Sequence, residues 1–134
     1  MTMPVMSADL WALLAAILLG IVHLSMSSVL SLKALGPAYI LGNREEGRAP
    51  DGLAGRIARA YGNWLENFAQ FAASVFLVHA AGEASVLAGW GAWIFVIGRQ
   101  AYVAAYAFAP AGIRPACWMT AQIGVLVILS DLFF

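Results

Sequence analysis

Charge is scarce in this chain. Of its 134 residues only 10% are charged, seven basic against seven acidic, with no formal net charge. A soluble domain carries about a quarter, so the 63% of hydrophobic residues exceeds what a soluble core of this size covers, and lipid must cover the rest. The even balance of signs points to no nucleic-acid partner. Cysteine is limited to Cys117, which excludes an intrachain disulfide and leaves the redox compartment open. No basic residue precedes Leu10, as a signal peptide requires, so the first apolar segment reads as retained. No internal repeat or low-complexity tract breaks the chain, and its length suits one domain, 1–134.

What the sequence has in abundance is long apolar runs. Crossing the roughly 30 Å of hydrocarbon takes about 20 apolar residues in a helix. Four segments meet this length, at about 10–32, 56–81, 85–109 and 115–134. Backbone groups in lipid must be satisfied within the segment, which makes these helices. The expected fold is therefore all-α, an integral membrane four-helix bundle with antiparallel neighbours. Short connections around Gly82-Glu83 and across Ala109 to Ile113 support the antiparallel order, and Pro115 sits where a first helical turn tolerates it. The connection from Lys33 to Gly55 is longer, rich in glycine and proline, and of the length that is usually functional or mobile.

Orientation follows from the basic residues. Lys33, Arg44, Arg48, Arg56, Arg59 and Arg114 lie in or beside the first and third connections; the other side offers only Asp9, Glu83 and Asp131. Lysine and arginine mark the cytoplasmic side, so both termini are expected to face away from it.

The second segment carries the most information. At 100° per residue, Arg56, Arg59, Asn63, Glu66 and Gln70 fall within about 80° of one another, opposite Leu65, Phe68 and Ala72. Two readings stand. Packing alone accounts for arginines in the headgroups and for Asn63 and Gln70 bonding between helices. A wet functional cavity accounts better for Glu66, because an acid at mid-bilayer is an expensive way to join helices. The third segment repeats the pattern with Arg99, Tyr102 and Tyr106 within about 60°, although a tyrosine near an interface also serves as a plain anchor. Trp118 and Gln122 give the fourth segment a weaker inward signal. His23, among Ser25, Ser27 and Ser28, reads as bonded to a neighbouring helix, with no second metal ligand at helical spacing. His79 reads as solvated at the interface, Cys117 as an inert thiol, and Trp11, Trp90 and Trp93 as belt residues.

Arg56-x-x-Arg59-Ala60-x-x-Asn63-x-x-Glu66, then Gly98-Arg99-x-x-Tyr102-x-x-x-Tyr106, then Arg114-Pro115 together resemble the membrane-associated proteins in eicosanoid and glutathione metabolism, the MAPEG family, and its bacterial members more than its eicosanoid enzymes. The resemblance implies a homotrimer in a bacterial inner membrane that binds glutathione between subunits near the cytoplasmic side. Carried over by position, Arg56, Arg59, Asn63 and Glu66 hold the tripeptide's charged ends. Tyr102 and Tyr106 line its groove with Arg99 among them, and Arg114 faces the sulfur as the catalytic residue. Arginine forks suit carboxylates, and a thiol near pKa 8.5 needs help to ionise at neutral pH. Asn67 stands where some members have a tyrosine, Gly62 where some have an arginine, and only Lys33 is available from the first helix.

The function implied is a glutathione-dependent transferase or peroxidase acting on lipophilic small molecules. The alternatives are a non-catalytic lipid-binding or scaffold member and a small multidrug transporter. The transporter typically needs a membrane acid on the first helix, and the stretch 10–32 has none. A sharper expectation concerns depth. Glu66 lies about 15 Å in from Arg56, and Arg99 about 16 Å from Pro110, so the two are expected at one level as an ion pair, within or between subunits.

Overall fold

A computed structural model of the chain describes residues 6–110 and 112–134. Among these residues there are five helices and no strand: α1 (Ala8–Leu35), α2 (Pro37–Leu41), α3 (Gly52–Ala81), α4 (Val86–Phe108) and α5 (Ile113–Ser130). The fifth, α2, lies in the connection expected to be irregular. Gly36 ends α1 at φ 82°, Pro37 supplies a pre-set φ at the next first turn, and Gly42 ends it. The loop beyond is held locally. Arg44, itself at φ 57°, donates from Nε and Nη2 to the Ile40 carbonyl at 2.9 and 2.7 Å, and the Arg48 guanidinium lies 4.5 Å above the Tyr39 ring.

The caps show why the hairpin turns where it does. At the end of α3, Gly82 takes the left-handed conformation, its N–H bonds to His79 O, and Glu83 N–H bonds to Val78 O, the paired bonds of a Schellman motif. Ser85 then opens α4 by accepting from Leu87 N–H at 3.0 Å. Asp131, just past α5, accepts from Ser85 N–H and from its hydroxyl, both at 2.9 Å. One carboxylate thus fixes the start of α4 against the end of α5. Nearby, His79 Nε2 and Asp9 Oδ2 meet at 2.5 Å and join α3 to α1. His79 is therefore a bonded residue and not one left to solvent.

The packing of α4 on α5 is backbone against backbone. A Cβ on Gly91 would stand 2.6 Å from Gly124 O, and one on Gly98 would stand 2.9 Å from Ala121 N. Small residues allow this approach, and membrane helices use it in place of a hydrophobic driving force. Beside this seam the core holds Phe71 stacked on Phe95 (ring centroids 4.1 Å, planes 5° apart), with Trp64 tilted against Phe95 and stacked with Phe68. The outer surface is apolar over long stretches, including Ile17, Leu18, Ile21, Val22 and Leu24 of α1. Helices α1 and α5 are each long and apolar enough to cross a membrane; α3 carries Arg56, Arg59, Asn63, Glu66 and Gln70, and α4 carries Arg99 and Gln100.

Candidate functional site

The α3 stripe does not turn into the subunit's own core. Helix α3 buries Ile57, Ala60, Trp64, Asn67, Phe71 and Val75, and leaves Arg59, Glu66 and Gln70 exposed, with Arg56 and Asn63 between the two faces. Helix α4 comes in on the buried side and brings Arg99, which has no exposed surface at all. Its Nη1 donates to Asn63 Oδ1 at 3.0 Å. Its Nε and Nη2 find no acceptor among the described residues. The guanidinium carbon lies 4.5 Å from the Tyr102 ring centre and 5.8 Å from that of Trp64. Aromatic faces attract a cation, by about 2 kcal/mol when both are desolvated, so the two rings take part of the place of a carboxylate.

From Arg99 the chain of contacts runs outward. Tyr102 packs on Tyr106 with ring centroids 5.6 Å apart. The Tyr106 hydroxyl accepts from Arg59 Nε at 3.3 Å, and the Arg114 guanidinium lies 4.7 Å above the Tyr106 ring. Tyr102, Tyr106, Arg114, Pro115 and Trp118 line an open cavity of about 370 Å³, within the range of roughly 300–1,000 Å³ typical of small-molecule sites. Neither Arg59 nor Arg114 is ion-paired among the described residues. The cavity therefore has one cation, Arg114, at its wall and a second, Arg59, bonded to the Tyr106 hydroxyl, with phenols beside them and no acid among its lining residues.

Arg59, Asn63, Arg99, Tyr102, Tyr106 and Arg114 are thus brought together. Arg56 and Glu66 are not joined to them by any hydrogen bond; Arg56 is half-buried with an unpartnered Nε, and Glu66 stands exposed on the stripe. The expected Glu66–Arg99 ion pair is absent within the subunit, where Arg99 takes Asn63 instead. The reason is angular. Arg99 approaches from the packed face of α3, next to Trp64, and meets Asn63, which is half-buried beside that face, whereas Glu66 is exposed on the far edge of the stripe.

Two residues that carry no role in the sequence reading matter here. Asn67, noted there only as a departure, is buried. It donates from Nδ2 to Asn63 O at 2.7 Å and accepts from Gln122 Nε2, which ties α5 to α3 beneath the cavity. Trp64, 1% exposed, is a wall for Arg99 and touches His23 edge-on at 5.0 Å. Its signal is periodic: Trp64 shares a helical face with Ala60, Phe71 and Val75, so it belongs to the core. Lys33 is exposed in the last turn of α1 and lines no part of the cavity.

Two helices long and apolar enough to cross a membrane, and an open cavity walled by tyrosines and an arginine, are the features of a membrane protein with a candidate site. The family model of the MAPEG family matches residues 10–134, nearly the whole chain, and the chain belongs to that family. No curated protein and no solved structure matches it. Membership carries a membrane setting and a glutathione-related role in general terms.

Proposed function

We propose that this protein is a glutathione-dependent transferase or peroxidase that acts on lipophilic electrophiles. The observation that carries the reading is the linked set Arg59–Tyr106–Arg114 with Tyr102, which puts the Arg114 guanidinium on the wall of an open cavity and a second, Arg59, on the hydroxyl of the Tyr106 that also lines it. Glutathione offers two carboxylates, an ammonium and a thiol. In the proposed roles Arg59 takes a carboxylate with Arg56 beside it, Asn63 and Glu66 take the ammonium end, and Tyr102 and Tyr106 flank the tripeptide. Arg114, held over Tyr106 at the cavity wall, faces the sulfur. A cation there favours the thiolate by releasing the thiol proton to solvent, and the thiolate then bonds to the electrophilic carbon as the bond from that carbon to its leaving group breaks and the leaving group departs with the electron pair.

The same reading makes the protein a homotrimer with four membrane-crossing helices, α1, α3, α4 and α5, in a bacterial inner membrane, both termini away from the cytoplasm. Its support is the uncovered stripe. An acid at the bilayer centre costs about 2.5–3.5 kcal/mol on insertion scales, and Glu66 is exposed on the isolated subunit. A neighbouring copy laid along α3 covers it and closes the cavity's open side. Equilibrium binding of glutathione to the detergent-solubilised protein, read by thiolate absorbance, tests the function. Saturable binding with a thiolate signal is expected, and no binding at millimolar glutathione refutes it. One observation favours a second reading, a non-catalytic lipid-binding or scaffold member: no α1 cation reaches the cavity, because Lys33 points elsewhere. Glutathione binding without any thiolate signal is the result that selects it. A small multidrug transporter is disfavoured, since the acid on α1, Asp9, sits in the first turn and is bonded to His79.

A further inference from the structure

On the far side of α4 from Tyr102 lies a second cavity, of about 290 Å³, between α1, the first turns of α3, and α4. Its walls are almost wholly apolar, with Val22, Met26, Leu30, Ile57 and Val103 among them. Ile57 and Val103 also pack with Ala60 and Tyr102 in one apolar layer, which separates this cavity from the arginine groove. Val22 is 57% and Phe108 84% exposed at its edge, so it opens sideways to the apolar outer surface.

Two polar side chains enter this apolar space. His23, 4% exposed, lies within reach of the Gln100 side chain, yet its Nδ1 has no partner of hydrogen-bonding geometry among the described residues, and neither has the Nε2 of Gln100. The serines near His23 do not supply that partner; Ser25, for one, bonds back to Ile21 O. A buried polar atom left unbonded is costly, and a membrane offers no water to relieve it. No charged side chain lines the cavity.

We propose that this cavity binds a single-chain lipophile carrying one hydroxyl group, an alcohol or phenol, with the hydroxyl between His23 Nδ1 and Gln100 Nε2. The amide N–H of Gln100 always donates. Nδ1 accepts in one imidazole tautomer and donates in the other. A hydroxyl oxygen serves both cases: it accepts from Gln100 and donates to a bare Nδ1, or accepts from both nitrogens. A carbonyl serves only the second case, and a carboxylate brings an unpaired charge where no cation waits. The volume lies at the lower edge of the small-molecule range, which suits one chain and excludes a two-chain phospholipid. The site does not depend on the glutathione reading, because it shares no polar residue with the arginine groove.

The test uses the full chain in lipid nanodiscs, with Trp11, Trp90, Trp93 and Trp118 replaced by phenylalanine so that Trp64, which touches His23, is the sole reporter. The probe is 2-bromo-1-undecanol, whose bromine lies beside its hydroxyl and so near Trp64, where it quenches tryptophan fluorescence. Saturable quenching is expected, reversed by 1-undecanol at least about tenfold more effectively than by undecane, the margin two hydrogen bonds supply. His23→Leu and, separately, Gln100→Leu should each shrink that preference while subunit stoichiometry and the folded tryptophan spectrum are kept. Equal competition by undecane and undecanol overturns the proposal, as does quenching that rises without saturating. A change of stoichiometry in both variants also overturns it, and identifies the face as a contact between copies of the chain.

Discussion

Arg99 and Asn63 give the sharpest prediction, a thermodynamic cycle on a buried charge. Asn63→Leu removes the one acceptor that Arg99 has among the described residues and leaves a guanidinium with no exposed surface. Removing the partner of a hydrogen bond to a charged group costs about 1.5–3 kcal/mol. Arg99 has no exposed surface at which water could replace the acceptor, so the expected loss is at the upper end, about 3 kcal/mol. Arg99→Met behaves differently. It forfeits a charge-assisted bond of about 1.5–3 kcal/mol and a ring contact of about 2 kcal/mol, and it relieves a desolvation penalty of several kcal/mol. The net should lie within about 2 kcal/mol of the parent by these same terms. Half-buried Asn63 adds little, because its amide reaches the open side of the stripe. The double variant should then match Arg99→Met, with a coupling of about 2–3 kcal/mol. Unfolding by dodecyl sulfate titration of the protein in mixed micelles, followed by tryptophan fluorescence, measures all four corners, and Trp64 beside Arg99 reports locally. Losses that simply add, or an Asn63→Leu variant as stable as the parent, would refute the reasoning and mean that Arg99 finds its acceptor elsewhere.

Three further outcomes are expected. Mass measurement in mild detergent should give trimers, and monomers or dimers alone would sink the assembly. Arg114→Ala should leave the fold intact and raise the pKa of bound thiol by about one unit, equivalent to about 1.4 kcal/mol, read by thiolate absorbance against pH; unchanged ionisation and turnover would give Arg114 another role. Gly91→Ala should destabilise by about 1–3 kcal/mol in the same unfolding titration, because the new methyl meets Gly124 O and Ile128 N, which are backbone and do not yield; a neutral result would mean that α4 and α5 slide apart freely.

The helices were legible because lipid leaves little choice of backbone structure, and their polar residues were legible because so few exist. Which residues meet was harder to read. Periodicity placed Arg59, Asn63, Glu66 and Gln70 on one face of α3 but carried no sign for whether that face turns inward. In the subunit it turns mostly outward, and the buried face belongs to Trp64, Asn67 and Phe71. Rise per residue puts Glu66 and Arg99 at one depth, whereas contact also needs the angle at which α4 approaches. That angle is set by Gly91, Gly98, Ala121 and Gly124, whose close approach locks α4 to α5 first. Short α2 escaped notice because five residues carry no measurable period; Gly36 and Pro37 were its only signals. The Asp9–His79 bond escaped because residues 70 apart in sequence meet only once α1 and α3 are aligned.

The distribution of glycine and of charge across the helices explains why the site forms where it does. Helices α4 and α5 meet through small residues at backbone distance, a seam that tolerates no shift of register, and Asp131 pins its far end to Ser85. Tyr102, Tyr106, Arg114 and Trp118 all project from this rigid pair, so their spacing is inherited from it. Helix α3 adds its cations from a mostly exposed face: Arg59 reaches Tyr106, while the Glu66 and Gln70 side chains continue the stripe without a partner among the described residues. A helix that served the subunit alone would place apolar residues there, since lipid is the only other neighbour. In the proposed trimer the chain would supply one rigid half of the site and a second copy would cover the polar edge of α3, so assembly and ligand binding are predicted to depend on the same α3 face.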